Sequence, residues 1–498
     1  MYIEPNSKII LCNNVPLDNT YQHTIYFANA NAQTNYFLSK AKATLQEQTY
    51  QRVVKGKMRV QRTADSIYDC NYLMFQNSSY GSKWFYAFVT GIEYVNDVTS
   101  EVTFELDDLQ TYFFDTELMP CYVEREHTAD DTIGANLVKE AIGTPELCVM
   151  SVWTRYWGSS DWKVAIQIIP SLLGSAIELG DPFYISNNQI YPDTKEIDVD
   201  SVDLGNLNAW LRAVDAVATI CGGYYFPSEF GDTIAPIPIA DLDTHDIKRP
   251  TKYIDYGSSS VLPTEYTPKN NKLLTYPYTK LLVASTSGGS AEYKWEDTRE
   301  GFVKFNLHHN HLNNAACELR PTNYFRNPQS RLNTVAIEEF PQVKFSDNPN
   351  LSFGNIFNAL SSFASEAGNA QQPEDLSLGA LPNLVASKPS GKTTVSNGNL
   401  DLKYNSFGFV FYQLGIRAQD AKVIDDYFSM YGYATKAIKV PNRNVRTQWT
   451  YCKTKNCNVK ANAPADSVKK ICSIYDKGIT FWRNPSNVGN YNLSNPIG

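Results

Sequence analysis

The chain has 498 residues, of which 43% are hydrophobic and 13% aromatic, with 32 tyrosines and a formal net charge of −8. That apolar share excludes a disordered chain, and the length gives room for two to four domains of ~100 to 200 residues each. The acidic balance argues against a protein that grips nucleic acid, since phosphate binding draws on a surplus of Lys and Arg; it suits a surface that DNA slides past.

The opening residues, MYIEPNSKII, contain no basic segment followed by an apolar run, so no secretory signal is expected and synthesis in a cytosol is. Nine cysteines, an odd number scattered along the chain, then read as reduced thiols that mostly fill core. At 83–106, aromatic and β-branched residues lead into Asn96-Asp97, after which Val102, Phe104 and Leu106 alternate with Thr103 and Glu105. This pattern predicts a β-hairpin with one buried face. The adjacent carboxylates Asp107-Asp108, Asp130-Asp131 and Asp425-Asp426 would point opposite ways on a strand and cannot flank one bond, so they are expected on solvated surface.

Further strands are predicted over 162–169, 273–285, 302–307 and 407–414, each bounded by Gly, Pro or Asn. Three helices are predicted as well. The first runs from a Ser201 cap through Leu204, Leu207, Trp210, Leu211 and Val214 to a stop at Gly222-Gly223; the others cover 418–431, ended by Gly432, and 467–475, ended by Gly478. Helices scattered among antiparallel hairpins, without one-to-one alternation, predict a mostly β, α+β, multidomain subunit.

The residues that could carry chemistry do not assemble into a site. His308 and His311 would share a metal only on a helix, and their surroundings read as strand running into a turn. Cys452, Cys457 and Cys472 fall short of a four-ligand zinc pattern, and SGKTT at 390–394 lacks the upstream glycine and strand of a phosphate loop. No nucleophile elbow or nucleotide fingerprint is present, so no catalytic residue, metal or cofactor is expected.

Residues 345–387 contain no Lys or Arg. Within them Leu351, Phe353, Ile356, Phe357, Leu360 and Phe363, continued by Ala364 and Ala367, mostly follow helical i, i+3, i+4, i+7 spacing, giving a helix of about 18 residues and ~27 Å. Its other face carries Asn355, Asn358, Ser361, Ser362 and Ser365, which cost less to desolvate than charges. A second apolar patch follows at Leu376, Leu378, Leu381, Leu384 and Val385, broken by Gly379 and Pro382, and neither segment reaches the ~20 apolar residues of a spanning helix. Two readings fit this pattern: apolar segments packed on the parent domain, or a sequestered membrane-active loop.

Several stretches resemble the tail knob family of small short-tailed phages of Gram-positive bacteria. They are YLMFQNSSYGSKWFYAFVTGIEYV (72–95), VTFELDDLQTYFFD (102–115), VEREH (123–127), EYTPKNNKLLTYPYTKLLV (265–283), DDYFSMYGYATKAIKVPN (425–442), TQWTYCKTKNCNV (447–459) and IYDKGITFWRNPSNVGNY (474–491). The resemblance implies tail-tube-like β-barrel or sandwich domains assembled into a hexameric ring at the distal end of the tail, with no catalytic residues. The genome would pass through its lumen without sequence-specific binding, and the neighbours would be collar, tube and tail-tip proteins. An inserted apolar loop, here the segment holding Leu351 to Ala367 and Leu376 to Val385, would plug the lumen and then enter the host cytoplasmic membrane. The corresponding domains are a β-rich tube domain at 1–128, an α+β domain at 129–260 with a helix at 201–221, a β-rich domain at 261–344, the apolar insert at 345–400 and an α+β knob domain at 401–498. A receptor-binding or wall-degrading tail protein is the alternative, with exposed aromatics as sugar-stacking surfaces.

Overall fold

The segment SKIILCN has no polar alternation, and the strand Ser7–Asn13 shows why: both faces of its sheet are covered. Ile10 and Cys12 join Tyr72, Met74, Tyr86 and Phe88 on one side, whereas Ile9 and Leu11 join Leu73, Ala87 and Val102 on the other. In this computed structural model the described residues are 7–48, 56–78, 81–156, 162–170, 177–179, 183–185, 193–198, 218–227, 238–242, 247–255, 264–286, 289–298, 300–310, 316–325, 336–339, 342–343 and 407–498. The chain divides into two units, one comprising residues 1–143, 269–272 and 422–498 and the other 144–268 and 273–421. The fold is mostly β with some helix, as the sequence predicts.

The first unit holds a six-stranded antiparallel sheet in the order Ala41–Gln48, Ser7–Asn13, Cys70–Asn77, Phe85–Asn96, Thr99–Leu106, Lys57–Val60. Its fourth and fifth strands, Phe85–Asn96 and Thr99–Leu106, are the predicted hairpin, registered Val89↔Phe104 and Ile92↔Val102 across the turn after Asn96. A five-stranded sheet, His23–Ile25, Ile479–Trp482, Trp449–Lys455, Cys121–Glu126 and Tyr433–Lys439, brings the two ends of the chain into one core. Against it the helix Ala465–Lys477 lays Ile471, Ile474 and Tyr475 beside Cys452, Ile479 and Phe481. That helix ends where predicted, at Gly478, whose φ of 96° favours glycine and whose N–H returns to the Ile474 and Tyr475 carbonyls.

The second unit holds three four-stranded sheets. They run Leu147–Tyr156, Gly408–Ile416, Thr279–Ser285, Ser290–Tyr293; then Asp193–Asp198, Trp162–Pro170, Ala218–Pro227, Gln342–Val343; then Pro238–Leu242, Phe305–Asn310, Ala316–Pro321, Ala336–Glu339. The helix Ala418–Tyr431 follows the strand Gly408–Ile416 and stops before Gly432, matching its prediction.

Several expectations need correction. The helix over 201–221 lies outside the described residues as far as 217, but from Ala218 the chain is strand through Pro227. Gly222-Gly223, read as a helix stop, sits at a register shift in which Gln167 faces Gly222 and Ile168 faces Ile220, leaving Cys221 as the extra residue of a bulge. The strand over 273–285 begins only at Thr279, because Asn271–Leu274 forms a 3₁₀ turn and Pro277 cannot donate to a ladder. The strand over 302–307 is displaced to Phe305–Asn310, which carries His308 inside it. A helix that weak periodicity conceals, Ala30–Ser39, is fixed by the Asn29 side chain accepting from the Ala32 N–H at 2.8 Å and by Phe37 stacked 4.9 Å from Tyr72. Finally, Asp107, Asp108 and Asp425 are buried rather than solvated.

Candidate functional site: the root of the apolar insert

The eleven predicted membrane-loop residues, Leu351, Phe353, Ile356, Phe357, Leu360, Phe363, Leu376, Leu378, Leu381, Leu384 and Val385, lie outside the described residues. The root from which this segment departs and to which it returns is described. The chain leaves after the strand Gln342–Val343, which pairs antiparallel with Ala218–Pro227 through Gly223↔Val343 and Tyr224↔Gln342. It returns at Phe407 into the strand Gly408–Ile416, an inner strand of its sheet.

The returning strand is held on both edges. It pairs with Leu147–Tyr156 from Tyr156↔Gly408 to Leu147↔Ile416, and with Thr279–Ser285 from Ser285↔Phe409 to Thr279↔Gly415. Phe407, Phe409 and Phe411 are all buried, and the Phe411 ring lies 4.6 Å from Trp153 and 5.6 Å from Phe305. Gly408 has φ 152° and comes so near the Arg155 carbonyl that a Cβ would run into its oxygen. At the strand's far end the Cys148 thiol donates to the Gly415 carbonyl at 3.2 Å; burial, aided by the Asp255 carboxylate, pushes that thiol up from its ordinary value. Asp255 also accepts from the Ala418 N–H at 2.8 Å, satisfying a first-turn donor of the helix Ala418–Tyr431.

This arrangement is a socket whose returning strand is paired on both edges, and it shows no nucleophile–base pair among the described residues. Among the described residues no group of three or more His, Cys, Asp or Glu could hold a metal, and no helix is long and apolar enough to cross a membrane. Sequence reasoning placed the strand at 407–414 but passed over Gly408; a glycine inside an apolar strand, in SFGFVF, is the signal of a close backbone approach.

Comparison with known proteins bears on the whole chain. Residues 5–117 match the family of the caudoviral major tail protein N-terminus, and residues 350–496 match the C-terminal domain of Bacillus phage phi29 tail knob protein gp9. Tail knob protein gp9 of Bacillus phage B103 is 23% identical over 99% of this chain and 98% of its own length. The gp9 of Bacillus phage PZA is 25% identical and that of Bacillus phage phi29 24%, each over 97% of both chains. Among solved structures, the bacteriophage C1 tail knob protein gp12 superposes with a TM-score of 0.57 at 15% identity, covering 99% of this chain and 100% of the other. The similarity read from residues 72–127 and 425–491 thus extends end to end.

Proposed function

We propose that this chain, a tail knob protein and hence a structural component of a short phage tail, forms a hexameric conduit for genome ejection. Its apolar insert plugs the lumen and later enters the host membrane. One observation carries this reading: the region similar to the tail knob C-terminal domain opens at residue 350, with a stretch rich in Phe, Leu and Ile inside a run, 345–387, that has no Lys or Arg. Either cation would bind phosphate inside a DNA tube and resist burial in lipid.

Copies of the chain supply the burial such a stretch needs, at ~25 cal/mol per Å² of apolar area, by packing their loops against one another. The single chain also leaves Ile438 78%, Val423 70% and Tyr94 63% exposed, side chains that neighbouring subunits or the collar, tube and tail-tip proteins would cover. On release, Asn355, Asn358 and Ser362 would face a water-filled pore and Phe353, Ile356 and Leu360 the lipid.

The test is dye leakage from liposomes with purified protein, the ring being checked by negative-stain images. Leakage is expected to rise at acidic pH as Glu366, Glu374 and Asp375 take up protons, and to vanish on deletion of 350–386. Unchanged leakage after that deletion removes the loop from the mechanism.

A further inference from the structure

Within the first unit, buried cations are paired. Arg125 and Lys272 both meet the Glu140 carboxylate, and each has a further acceptor, Arg125 the Gly432 carbonyl at 2.6 Å and Lys272 the Val138 carbonyl at 2.8 Å. Arg446 departs from this rule. It is 5% exposed, its Nε has no hydrogen-bond partner, and its side chain forms no ion pair among the described residues. Its backbone is fixed, the N–H donating to Thr450 Oγ1 at 3.3 Å and the residue bridging to Ile497. A guanidinium this deeply buried without an ion pair is unfavourable unless an anion meets it.

Arg446 lines a cavity of about 340 Å³. No carboxylate lines it; Lys269 does, its Nζ 3.6 Å from the half-exposed Asp426 carboxylate outside the lining, with the amide of Asn492 and the hydroxyls of Ser494 and of Ser429, the last accepting from Asn270 Nδ2 at 2.8 Å. His127, also in the wall, is already committed: Nδ1 accepts from the Tyr451 N–H at 2.8 Å and Nε2 meets the Ser429 carbonyl at 3.1 Å. Burial and the charge of Arg446 hold this imidazole down to about 3, so it stays neutral and adds no second fixed charge. The far wall is the C-terminal segment, tied down by Thr447 N–H to Pro496 O at 3.0 Å and Gly498 N–H to Val445 O at 2.9 Å.

From this buried arginine with an unpartnered Nε and no ion pair, in a cavity lined by a second cation and neutral polar groups, we propose that the Arg446 cavity binds a small ligand through an oxyanion head, carboxylate or phosphate, received by Arg446 with Lys269 and Asn492 in support. The residues lining the site include none of the apolar insert, and the proposal does not depend on the membrane reading.

Calorimetric titration of the full-length protein with inorganic phosphate and with succinate, in chloride buffer of matched ionic strength, tests it. Saturable binding of either anion is expected, and which of the two binds identifies the head group; binding of neither overturns the proposal. Arg446→Met is expected to abolish binding while melting no lower than the parent protein in chloride, because it removes an unpaired charge. Retained affinity in that variant also overturns the proposal. Should Arg446→Met fail to fold, Lys269→Gln, whose side chain is 55% exposed, decides the matter. It is expected to bind about tenfold more weakly, and unchanged affinity overturns the proposal.

Discussion

Asp107 places a carboxylate where water hardly reaches, at 2% exposure, as the cap of the short helix Asp108–Thr111. It accepts from the Gln110 N–H at 3.0 Å and the Tyr72 hydroxyl at 2.9 Å, yet burial outweighs both and pushes it up to about 6. A folded value above the unfolded one means the native state holds the proton more tightly. The resulting stability is full below about pH 4 and is lost as pH rises through about 6. Asp107→Asn removes the ionisation; its amide oxygen can still accept from the Gln110 N–H, and its amide nitrogen can donate to the Tyr72 hydroxyl oxygen. Urea unfolding should therefore show the variant gaining on the parent protein between pH 4 and pH 7, by up to about 3 kcal/mol. A difference that does not change with pH would refute the burial account. Nothing in the sequence discloses this environment: Asp107-Asp108 reads as a charged surface pair, and only the fold sets Tyr72 over one carboxylate and Lys470, at 3.3 Å, beside the other. Arg446 was illegible for the same reason, since a residue's partners, or lack of them, come from segments far away in the chain.

Elements were more legible where a single segment carries its own instruction. The hairpin Phe85–Asn96 with Thr99–Leu106 and the helices Ala418–Tyr431 and Ala465–Lys477 have turn or stop residues beside their periodic runs, and each formed where these predict. Gly222-Gly223 misled because a glycine pair serves a bulge as readily as a helix end, and pairing with Trp162–Pro170 decided between them. Gly408 is the element-scale counterpart at the root of the insert, where the returning strand must pass the Arg155 backbone. Gly408→Ala should cost more than about 1 kcal/mol, through its φ of 152° and the clash together. Gly143→Ala, with nothing within 4 Å of the added carbon, is the control and should leave the thermal midpoint within about a degree of the parent. Equal midpoints for the two variants would mean that the strand simply shifts to make room, and that the socket is not rigid.

At the scale of the molecule, the two ends of the chain build one unit and the middle builds the other, and the insert departs from and returns to the second. A long segment that starts and ends in one unit can change its surroundings without unthreading the fold, which is what a loop leaving a lumen for a membrane requires. Single charges placed on its apolar face separate the proposed role from core packing. Ile356→Asp or Phe357→Asp should leave subunits folded and particles assembled, since the socket at 407–416 is built from other residues. The same carboxylate should block insertion, because an aspartate at mid-bilayer costs about 2.5–3.5 kcal/mol per copy on insertion scales and the penalty recurs in every subunit of a ring. The expected phenotype is normal particle yield in electron micrographs, normal adsorption and DNA delivery reduced to background. If instead the rings fail to form or the subunits precipitate, Ile356 and Phe357 are core residues of the parent domain, and a pore would have to be sought in another part of the tail.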